Sequence, residues 1–540
     1  MKVRLLFILA ALSASAFSHG ATYTFGSFSH DYSAPTHLTQ NHSVGNYSTS
    51  NIVTVHTEAR VSKALQSELE ALVNQTVNAL RPYAFSENDS RVFASETRSP
   101  EQFSSQFKSE YKVSPLATLN STYSHSLPSW LFSAIKRCEH WFTKTEGNIS
   151  CRNGALFTYW ADYVAGEHEL SRKEVRRLAR MARVAEVTLK DNHVVSFASP
   201  IVWDFADYTP AVLASRVAKA LRENGITTFH LNTHNVDLYA SATNESWQHI
   251  IENNNVGRTK NVDTLSEGSI EAERPSAKAL TIKNGVVVHL RPQHQSAFMS
   301  ATLQSKEKGI ISQSDGWPSA QFESIAIAAN AFDAMALAHL GATKSAQQSL
   351  AYVDGDSSKF GRGSIHALRL IDDAGRVFSS SQFSLFTSPS KATADMAYFN
   401  ISVTLPMFNI ADYRGPYVSV WLSDDKNRLI KSLALRGTND RWLNKLRTWW
   451  RRVGRKDEAL IDGFAGATQK NKPLQITWDG TNDFGEKVQT KNVILHVEVV
   501  REHGGRSYEK IPLLLVGEFS PIVVAGTGEI EAITVNQMFR

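Results

Sequence analysis

Apolar residues in the first half of the chain follow two spacings, one typical of helices and one typical of strands. They recur every three or four positions over residues 61–84 and again over residues 128–145, which predicts two amphipathic helices. Other runs predict a strand over residues 194–205, a helix over residues 211–224 and a strand over residues 227–242. The first half therefore contains both helices and strands.

Three further features follow before residue 396. A helix is predicted over residues 324–340, where a run of small residues would allow close packing. The turn Asp373-Ala374-Gly375 lies between two apolar segments, which predicts a β-hairpin. Residues 387–395 are mostly polar or small, so we place a domain boundary there.

Beyond this boundary the apolar residues alternate with polar ones, which is the spacing of strands. The predicted strands cover residues 400–405, 417–422, 429–435, 474–478 and 493–501. Short strands separated by turns at this spacing predict a β-sandwich as the second domain.

Composition limits the class of protein. A chain of 540 residues is too long for one hydrophobic core and predicts two or three domains. Hydrophobic residues at 42% and charged residues at 20% exclude a wholly disordered chain and a polytopic membrane protein. The net charge of +5 arises from 57 basic and 52 acidic residues, a near balance that is weak evidence for a nucleic-acid or membrane partner.

The first residues have the pattern of a secretory signal. Lys2 and Arg4 precede an unbroken apolar run over residues 5–12, and residues 14–16 form a small-x-small site. These features predict a Sec signal peptide over residues 1–16. No cysteine follows the apolar run, so we do not expect a lipoprotein.

The mature chain is accordingly expected to be soluble and periplasmic. Residues 17–50 are rich in Ser, Thr, His and Asn and predict an irregular arm. No later stretch approaches the roughly 18 uninterrupted apolar residues of a membrane span.

Cys138 and Cys151 are the two cysteines of the chain. In an oxidising compartment they could form a disulfide that closes a small loop. The alternative is two separate buried thiols. Two cysteines are too few for a disulfide scaffold or a four-thiolate metal site.

Three segments between residues 60 and 382 resemble one known family in order and spacing. Residues 204–232 are similar to that family's "DFGGIxKGYAxDRV…L…GI…VNLGG" stretch, residues 309–318 to its "HIIDPRTGxP" loop, and residues 324–334 to its "SVTVIAPSAxxADALxTA" stretch. The matching residues include Asp204-Phe205, Arg216-Val217, Leu231-Asn232, Gly316-Trp317-Pro318 and Phe332-Asp333-Ala334. The chain thus resembles the FAD:protein FMN transferases, or ApbE-like flavin transferases, which implies an α+β transferase fold over residues 51–385.

The resemblance also implies a chemistry and a set of site residues. Members of that family move FMN from FAD onto a threonine of a partner protein, and they use magnesium. By position, Asn232, His234 and Gly316 are the implied flavin-binding residues and Asp333 is the implied metal ligand. FAD and Mg²⁺ are therefore the cofactors expected of an active protein.

Several positions depart from the family's pattern where that chemistry would be carried out. The family's paired glycines fall on Ala206 and Asp207, and its lysine falls on Pro210, which offers phosphate neither an N–H nor a charge. A second glycine pair falls near His234, whose side chain would obstruct a close backbone approach. The metal-binding threonine is replaced by Leu337.

These departures favour a non-catalytic protein of the cell envelope, either an accessory protein or a flavin-related binding protein. The alternative is an active Mg²⁺-dependent transferase with atypical ligands drawn from Asp207, His234, Asp237 or Asp315. The partner expected in either case is an envelope flavoprotein or an electron-transfer protein.

Residues 396–530 resemble an uncharacterised family of bacterial periplasmic domains that is often fused behind ApbE-like transferases. The fold expected there is an immunoglobulin-like β-sandwich. Within it, residues 478–485 resemble a turn in the immunoglobulin-like module of the flagellar hook-capping protein. Its carboxyl and amide side chains are a candidate calcium site, although the EF-hand spacing is not met, and the alternative is an ordinary Asp-Gly hairpin turn.

One segment of the second domain resembles a substrate of the transferases. Residues 462–468 look like the "DxxSGAT" sequence onto which these enzymes place flavin, with Ala465 where serine is common. Thr468 would then be a possible FMN acceptor, joined to covalent FMN by a phosphoester. The alternative is a tight surface turn.

Overall fold

The structure is a computed structural model of the chain. It describes residues 21–28, 50–82, 114–166, 168–197, 201–243, 246–251, 278–291, 310–312, 314–319, 322–354, 366–372, 374–386, 398–408, 415–437, 440–456, 473–515 and 520–538. The predicted signal peptide and the predicted FMN acceptor Thr468 lie outside the described residues.

The helices are numbered in chain order. They are α1 (Lys63–Ala79), α2 (Pro115–Thr122), α3 (Ser129–Lys144), α4 (Gly154–Ala165), α5 (Arg172–Val184), α6 (Thr209–Glu223), α7 (Ala331–Thr343), α8 (Ala346–Asp354), α9 (Asp440–Leu443) and α10 (Arg447–Arg452). Short 3₁₀ segments occupy Ala206–Tyr208, Ser381–Leu385 and Gly454–Lys456. Of the helices described, none combines the length and the apolar composition that crossing a membrane requires.

The strands are numbered in the same way. Those of the first domain are β1 (Ala21–Phe28), β2 (Ser50–Thr57), β3 (Ser124–Ser126), β4 (Glu186–Lys190), β5 (His193–Phe197), β6 (Phe229–Thr233), β7 (Val236–Ala240), β8 (Trp247–Ile251), β9 (Lys278–Ile282), β10 (Gly285–Leu290), β11 (Ile310–Ile311), β12 (Pro318–Ser319), β13 (Phe322–Ala328), β14 (His366–Asp372) and β15 (Val377–Ser379). Those of the second are β16 (Tyr398–Thr404), β17 (Tyr417–Ser423), β18 (Leu429–Arg436), β19 (Leu474–Trp478), β20 (Asn492–Val500), β21 (Arg506–Leu514), β22 (Ile522–Ala525) and β23 (Ala532–Met538).

An antiparallel sheet forms the centre of the first domain, in the strand order β1-β2-β6-β7-β10-β13-β14-β15. Helices α1, α6 and α7 pack on one face, and the β8–β9 hairpin covers part of the other. Both faces of strand β13 are therefore buried. Its residues Ala326 and Ala328 join the core under the helices, whereas Ile325 and Ile327 join the core under the hairpin.

This burial explains an incorrect prediction. The helix predicted over residues 324–340 is strand β13 followed by helix α7. A strand that is covered on both faces is apolar at successive positions, so it lacks the period of two that identifies a half-exposed strand.

Three other element predictions are corrected by the structure. The single strand predicted over residues 227–242 is the β6–β7 hairpin, because the backbone reverses at His234 in a left-handed conformation with φ 54°. The strand predicted over residues 194–205 ends at Phe197 in β5. Part of the predicted irregular arm is strand β1, whose Phe25 is buried where β1 pairs with β2.

The second domain is a β-sandwich, as predicted. Two antiparallel sheets, in the orders β19-β16-β23-β22 and β18-β17-β20-β21, enclose a common apolar core. Ile401 and Val403 enter this core from one sheet, and Val418 and Val420 enter it from the other. The hairpin predicted around residues 373–375 is also confirmed, since β14 pairs with β15 in antiparallel register.

The predicted calcium turn of the second domain contacts the first domain and surrounds a lysine. The backbone N–H of Val377 in β15 donates to the carbonyl of Asp483 at 2.6 Å. Lys431 Nζ donates to the carbonyl of Asn482 at 2.8 Å. Burial would raise the pKa of Asp479, but the charge of Lys431 and hydrogen bonds from Thr481 hold it below its ordinary value. An ammonium group of the chain therefore lies against the turn for which a calcium site and an ordinary Asp-Gly turn were the two alternatives.

The two cysteines form a disulfide that joins α3 to the segment before α4. Cys138 and Cys151 are both buried, and their Cα atoms are 6.1 Å apart. The backbone N–H of Asp204 donates to the carbonyl of Cys151 at 2.9 Å, so the bridge also fixes the segment that leads into α6.

The double substitution Cys138→Ala/Cys151→Ala is expected to lower the free energy of unfolding by roughly 3 kcal/mol, because it frees a short loop in the unfolded chain. Denaturant unfolding followed by tryptophan fluorescence measures the change. Reduction of the wild-type protein serves as the control and should have the same effect. Equal stability of the oxidised protein and the double variant would contradict the prediction.

Candidate functional site

The start of helix α7 holds the predicted metal ligand. Asn330 caps this helix, and its side-chain oxygen accepts a hydrogen bond from the backbone N–H of Asp333 at 3.0 Å. The Asn330 amide returns a hydrogen bond to Oδ2 of Asp333 at 2.6 Å. This reciprocal pair fixes the carboxylate against the first turn of the helix.

Two residues of α3, one turn apart, complete the surroundings of this carboxylate. Arg137 Nε donates to Oδ1 of Asp333 at 2.9 Å, and its Nη2 pairs with Oδ2. Trp141 Nε1 donates to Oδ1 at 2.7 Å. Together with Asn330, these donors give each carboxylate oxygen two hydrogen bonds, which matches the roughly four lone-pair sites that a carboxylate offers. His366 Nε2 lies 3.9 Å from Oδ2.

The negative charge of Asp333 is buried and is balanced by the positive charge of Arg137. The side chain of Asp333 is 10% exposed, whereas that of Arg137 is 42% exposed. Burial would raise the pKa of Asp333, but the nearby His366 ring, the hydrogen bonds from Arg137 and Trp141 and the charge of Arg137 hold it well below its ordinary value. Asp333 is therefore an anion with a protein cation already bound. Leu337, one turn further along α7, is fully buried and offers no ligand atom.

Two carboxyl groups precede helix α6, in the segment that the resemblance aligns with the family's paired glycines. Asp204 Oδ1 accepts a hydrogen bond from the backbone N–H of Ala206 at 2.7 Å. Asp207 is 4% exposed, and its Oδ1 has no hydrogen-bond partner. Burial raises the pKa of both carboxyl groups to about 7. Pro210 then occupies the first turn of α6 and removes one of the N–H groups that a helix start presents to an anion.

The hairpin β6–β7 positions two of the predicted flavin-binding residues. Asn232 Nδ2 donates to Asp237 Oδ1 at 2.9 Å, and His230 Nε2 lies 2.8 Å from the same oxygen. Burial would raise the pKa of Asp237, but His230 and His249 hold it below its ordinary value. His234 is exposed and keeps the left-handed backbone conformation of the turn with a side chain where the family has glycine.

The predicted residue Gly316 lies in a buried turn of the first domain. Its φ is +82°, and a Cβ atom there would lie 2.9 Å from Cγ1 of Val175. Its carbonyl accepts a hydrogen bond from Trp160 Nε1 at 2.8 Å. Packing and backbone conformation together require glycine here, whether or not flavin binds. Asp315 beside it is exposed.

The structure thus brings some predicted residues together and leaves others apart. Asn232 and Asp237 are in direct contact, and Asp333 is paired with groups that sequence reasoning did not select. Among the described residues, no group of three or more His, Cys, Asp or Glu side chains is arranged to hold a metal ion. Asn330, three residues before Asp333, has an N-cap signal in the sequence, but Arg137 has no local signal because 196 residues separate it from Asp333.

The fold defines the class of protein as an α+β domain joined to a C-terminal β-sandwich. Residues 76–360 match the model of the ApbE family, which is more than half of the 540 residues. The chain belongs to the ApbE family. Residues 398–532 match a second family, described as "Predicted periplasmic protein (DUF2271)".

Solved structures of the same family give similar but distant matches. The flavin transferase ApbE from Vibrio cholerae is 14% identical, with a TM-score of 0.44 over 62% of this chain and 95% of that chain. The ApbE protein from Thermotoga maritima is 13% identical, with a TM-score of 0.41 over 62% and 96% of the two chains. The apo flavinyl transferase ApbE from Pseudomonas stutzeri is 12% identical, with a TM-score of 0.43 over 62% and 92%. No curated protein sequence matches the chain.

Proposed function

We propose that this protein is a non-catalytic member of the ApbE family that acts in the cell envelope as an accessory or flavin-related binding protein. The observation that carries the proposal is the environment of Asp333. The carboxylate of Asp333 accepts hydrogen bonds from Arg137, Trp141 and Asn330. The guanidinium group of Arg137 is therefore present where the family resemblance implies magnesium.

Magnesium does not fit the residues at this position. It prefers near-octahedral coordination by oxygen atoms, several of them from water. Asp333 is the one carboxylate that the resemblance supplies, and the side chains around it are donors rather than acceptors. An ion there would have to displace the Arg137 guanidinium, and Leu337 would give it no ligand. No step of catalysis is therefore assigned to a metal in this protein.

The pyrophosphate of FAD also fits poorly at the start of α6. Helix starts bind phosphate through free N–H groups and the positive end of the helix dipole. Here Asp207 lies just before the helix, where the family has glycine, and Pro210 removes a donor from the first turn. When the Asp207 carboxyl group is ionised, its charge repels phosphate. The chain keeps the fold of the family but lacks these contacts with the pyrophosphate of FAD. This supports the proposal that the protein binds a partner without transferring flavin.

The envelope assignment rests on the second domain together with the signal pattern of the sequence. The family that matches residues 398–532 is described as a predicted periplasmic protein. A flavoprotein or an electron-transfer protein of the envelope is the partner that the transferase-like fold suggests. The contact between Val377 and the turn at Asp483 attaches the sandwich to the transferase-like domain.

Flavin transfer is expected to be absent when the purified mature protein is incubated with FAD, Mg²⁺ and a threonine-containing acceptor peptide. In-gel flavin fluorescence and the peptide mass measure the reaction, and a working family member such as the Vibrio cholerae enzyme is the positive control. Covalent fluorescence on the peptide would overturn the proposal and favour an active transferase with atypical ligands. Fluorescence quenching of FAD, measured separately, reports whether flavin still binds.

A further inference from the structure

Helix α5 concentrates basic side chains on one exposed face. Its 13 residues include six basic side chains and a single acidic one, Glu174. At 100° per residue, the six basic positions fall within an arc of about 140° around the helix axis. We call this surface the basic face; its residues are Arg172, Lys173, Arg176, Arg177, Arg180 and Arg183, and all six are exposed.

The opposite side of the helix is already used for packing. Val175, Ala179 and Ala182 are buried, and α5 packs beside α4. The helix is therefore held in place by the domain, and its basic face does not contribute to the core. Glu174 pairs with Arg177, which leaves five basic side chains of the face without an acidic partner on the helix.

Exposed apolar residues lie at both ends of the basic face. Leu170, just before the helix, is 39% exposed, and Val184, its last residue, is 54% exposed. Val184 falls within the same arc as the basic side chains. At a lipid surface, exposed apolar side chains enter the boundary between headgroups and acyl chains, while basic side chains attract anionic headgroups.

We propose that the basic face, with Leu170 and Val184, binds the surface of an anionic phospholipid bilayer, with the helix axis parallel to the membrane plane. This goes beyond the proposed function, because it assigns a second surface away from the flavin-transferase positions. Arginine guanidinium groups bind phosphate in a bidentate manner, which suits lipid headgroups.

Charge and shape favour a membrane over an acidic protein. The whole chain has a net charge of +5. Helix α5 has six basic residues and one acidic residue, so its own net charge is also +5. At 1.5 Å per residue the helix is about 20 Å long, and its exposed face is convex, so it fits a plane better than a groove. Exposed Glu169 and Glu186 limit the attraction at the two ends.

Vesicle sedimentation tests the proposal with the mature full-length protein. We expect it to bind vesicles of phosphatidylglycerol and phosphatidylethanolamine but not vesicles of phosphatidylcholine, and to be released as salt increases. The variant Arg176→Ser/Arg180→Ser should weaken binding by at least about tenfold, since each basic residue near an anionic surface contributes roughly a fivefold gain when it is fully engaged, and the variant removes two of them.

Matched variants distinguish a membrane surface from general basicity. Lys491→Ser/Lys510→Ser removes two exposed charges from the sandwich and should leave binding unchanged. Leu170→Ser/Val184→Ser should weaken binding while the net charge is preserved, and thermal unfolding by circular dichroism confirms that each variant is folded. Equal binding to anionic and neutral vesicles would overturn the proposal. Binding to soluble polyglutamate without binding to anionic vesicles would also overturn it and would indicate an acidic protein partner.

Discussion

The substitution Asp333→Asn is expected to lower the free energy of unfolding of the first domain by roughly 3 kcal/mol at neutral pH. The amide keeps the size of the side chain but presents an NH₂ group to a site that consists of donors. Arg137, Trp141 and Asn330 then lose acceptors, and Trp141 is buried and has no solvent to replace them. Urea unfolding followed by tryptophan fluorescence measures the loss.

The pH dependence gives this prediction a second readout. The pKa of Asp333 is lower in the folded protein than in the unfolded chain. Its stabilising contribution is therefore present above the unfolded value of about 4 and is lost as pH falls through the folded value. The gap between wild type and Asp333→Asn should shrink below about pH 4. Asp425→Asn, at an exposed position, is the control and should change stability by no more than about 0.5 kcal/mol. An equally small effect of Asp333→Asn would sink the idea that this pair anchors α7.

The substitution Asp207→Asn is expected to act in the opposite direction and to stabilise the protein at pH 8 by roughly 2–4 kcal/mol. Burial raises the pKa of Asp207 to about 7, so folding at pH 8 forces into the core a carboxylate whose Oδ1 has no hydrogen-bond partner. Since the folded pKa is above the unfolded one, the wild type loses stability from about pH 4 to pH 7 and then levels off. The amide is neutral throughout.

Unfolding curves measured at pH 5 and pH 8 test this expectation. The difference in stability between the variant and the wild type should be about one third as large at pH 5 as at pH 8, whereas Asp425→Asn should follow the wild type at both. Asp204 lies nearby and is raised to about the same pKa, so some pH dependence should remain in the Asp207→Asn variant. A variant no more stable than wild type at pH 8 would contradict the assignment of Asp207 as a buried acid.

Much of the fold was predictable because the sequence patterns that identify its helices and turns lie within each element. The helices α1, α3 and α6 follow the spacing of apolar residues, and the hairpin around residues 373–375 follows its turn sequence. Strand β13 was not predictable in this way, because the burial of its second face depends on strands β8 and β9, which are distant in sequence. Gly316 matched the family pattern, and the structure shows a packing reason for it that requires no ligand.

The site was predictable only in part, for a related reason. The position of Asp333 follows from the family's pattern, and its cap at Asn330 follows from local sequence. The Arg137 guanidinium comes from a different helix, and no spacing rule connects residues so far apart along the chain. The departure at Leu337 was visible in the sequence, but it gave no information about the guanidinium group that pairs with Asp333.

The contact of Lys431 with the turn at Asn482 has a consequence for the second domain. A cation that is covalently part of the chain has a fixed effective concentration at its site, which dilution cannot change. An exchangeable ion would bind and leave according to its concentration in the surrounding medium. The junction between the sandwich and the transferase-like domain should therefore keep its structure in a compartment whose divalent ion content varies with the environment of the cell.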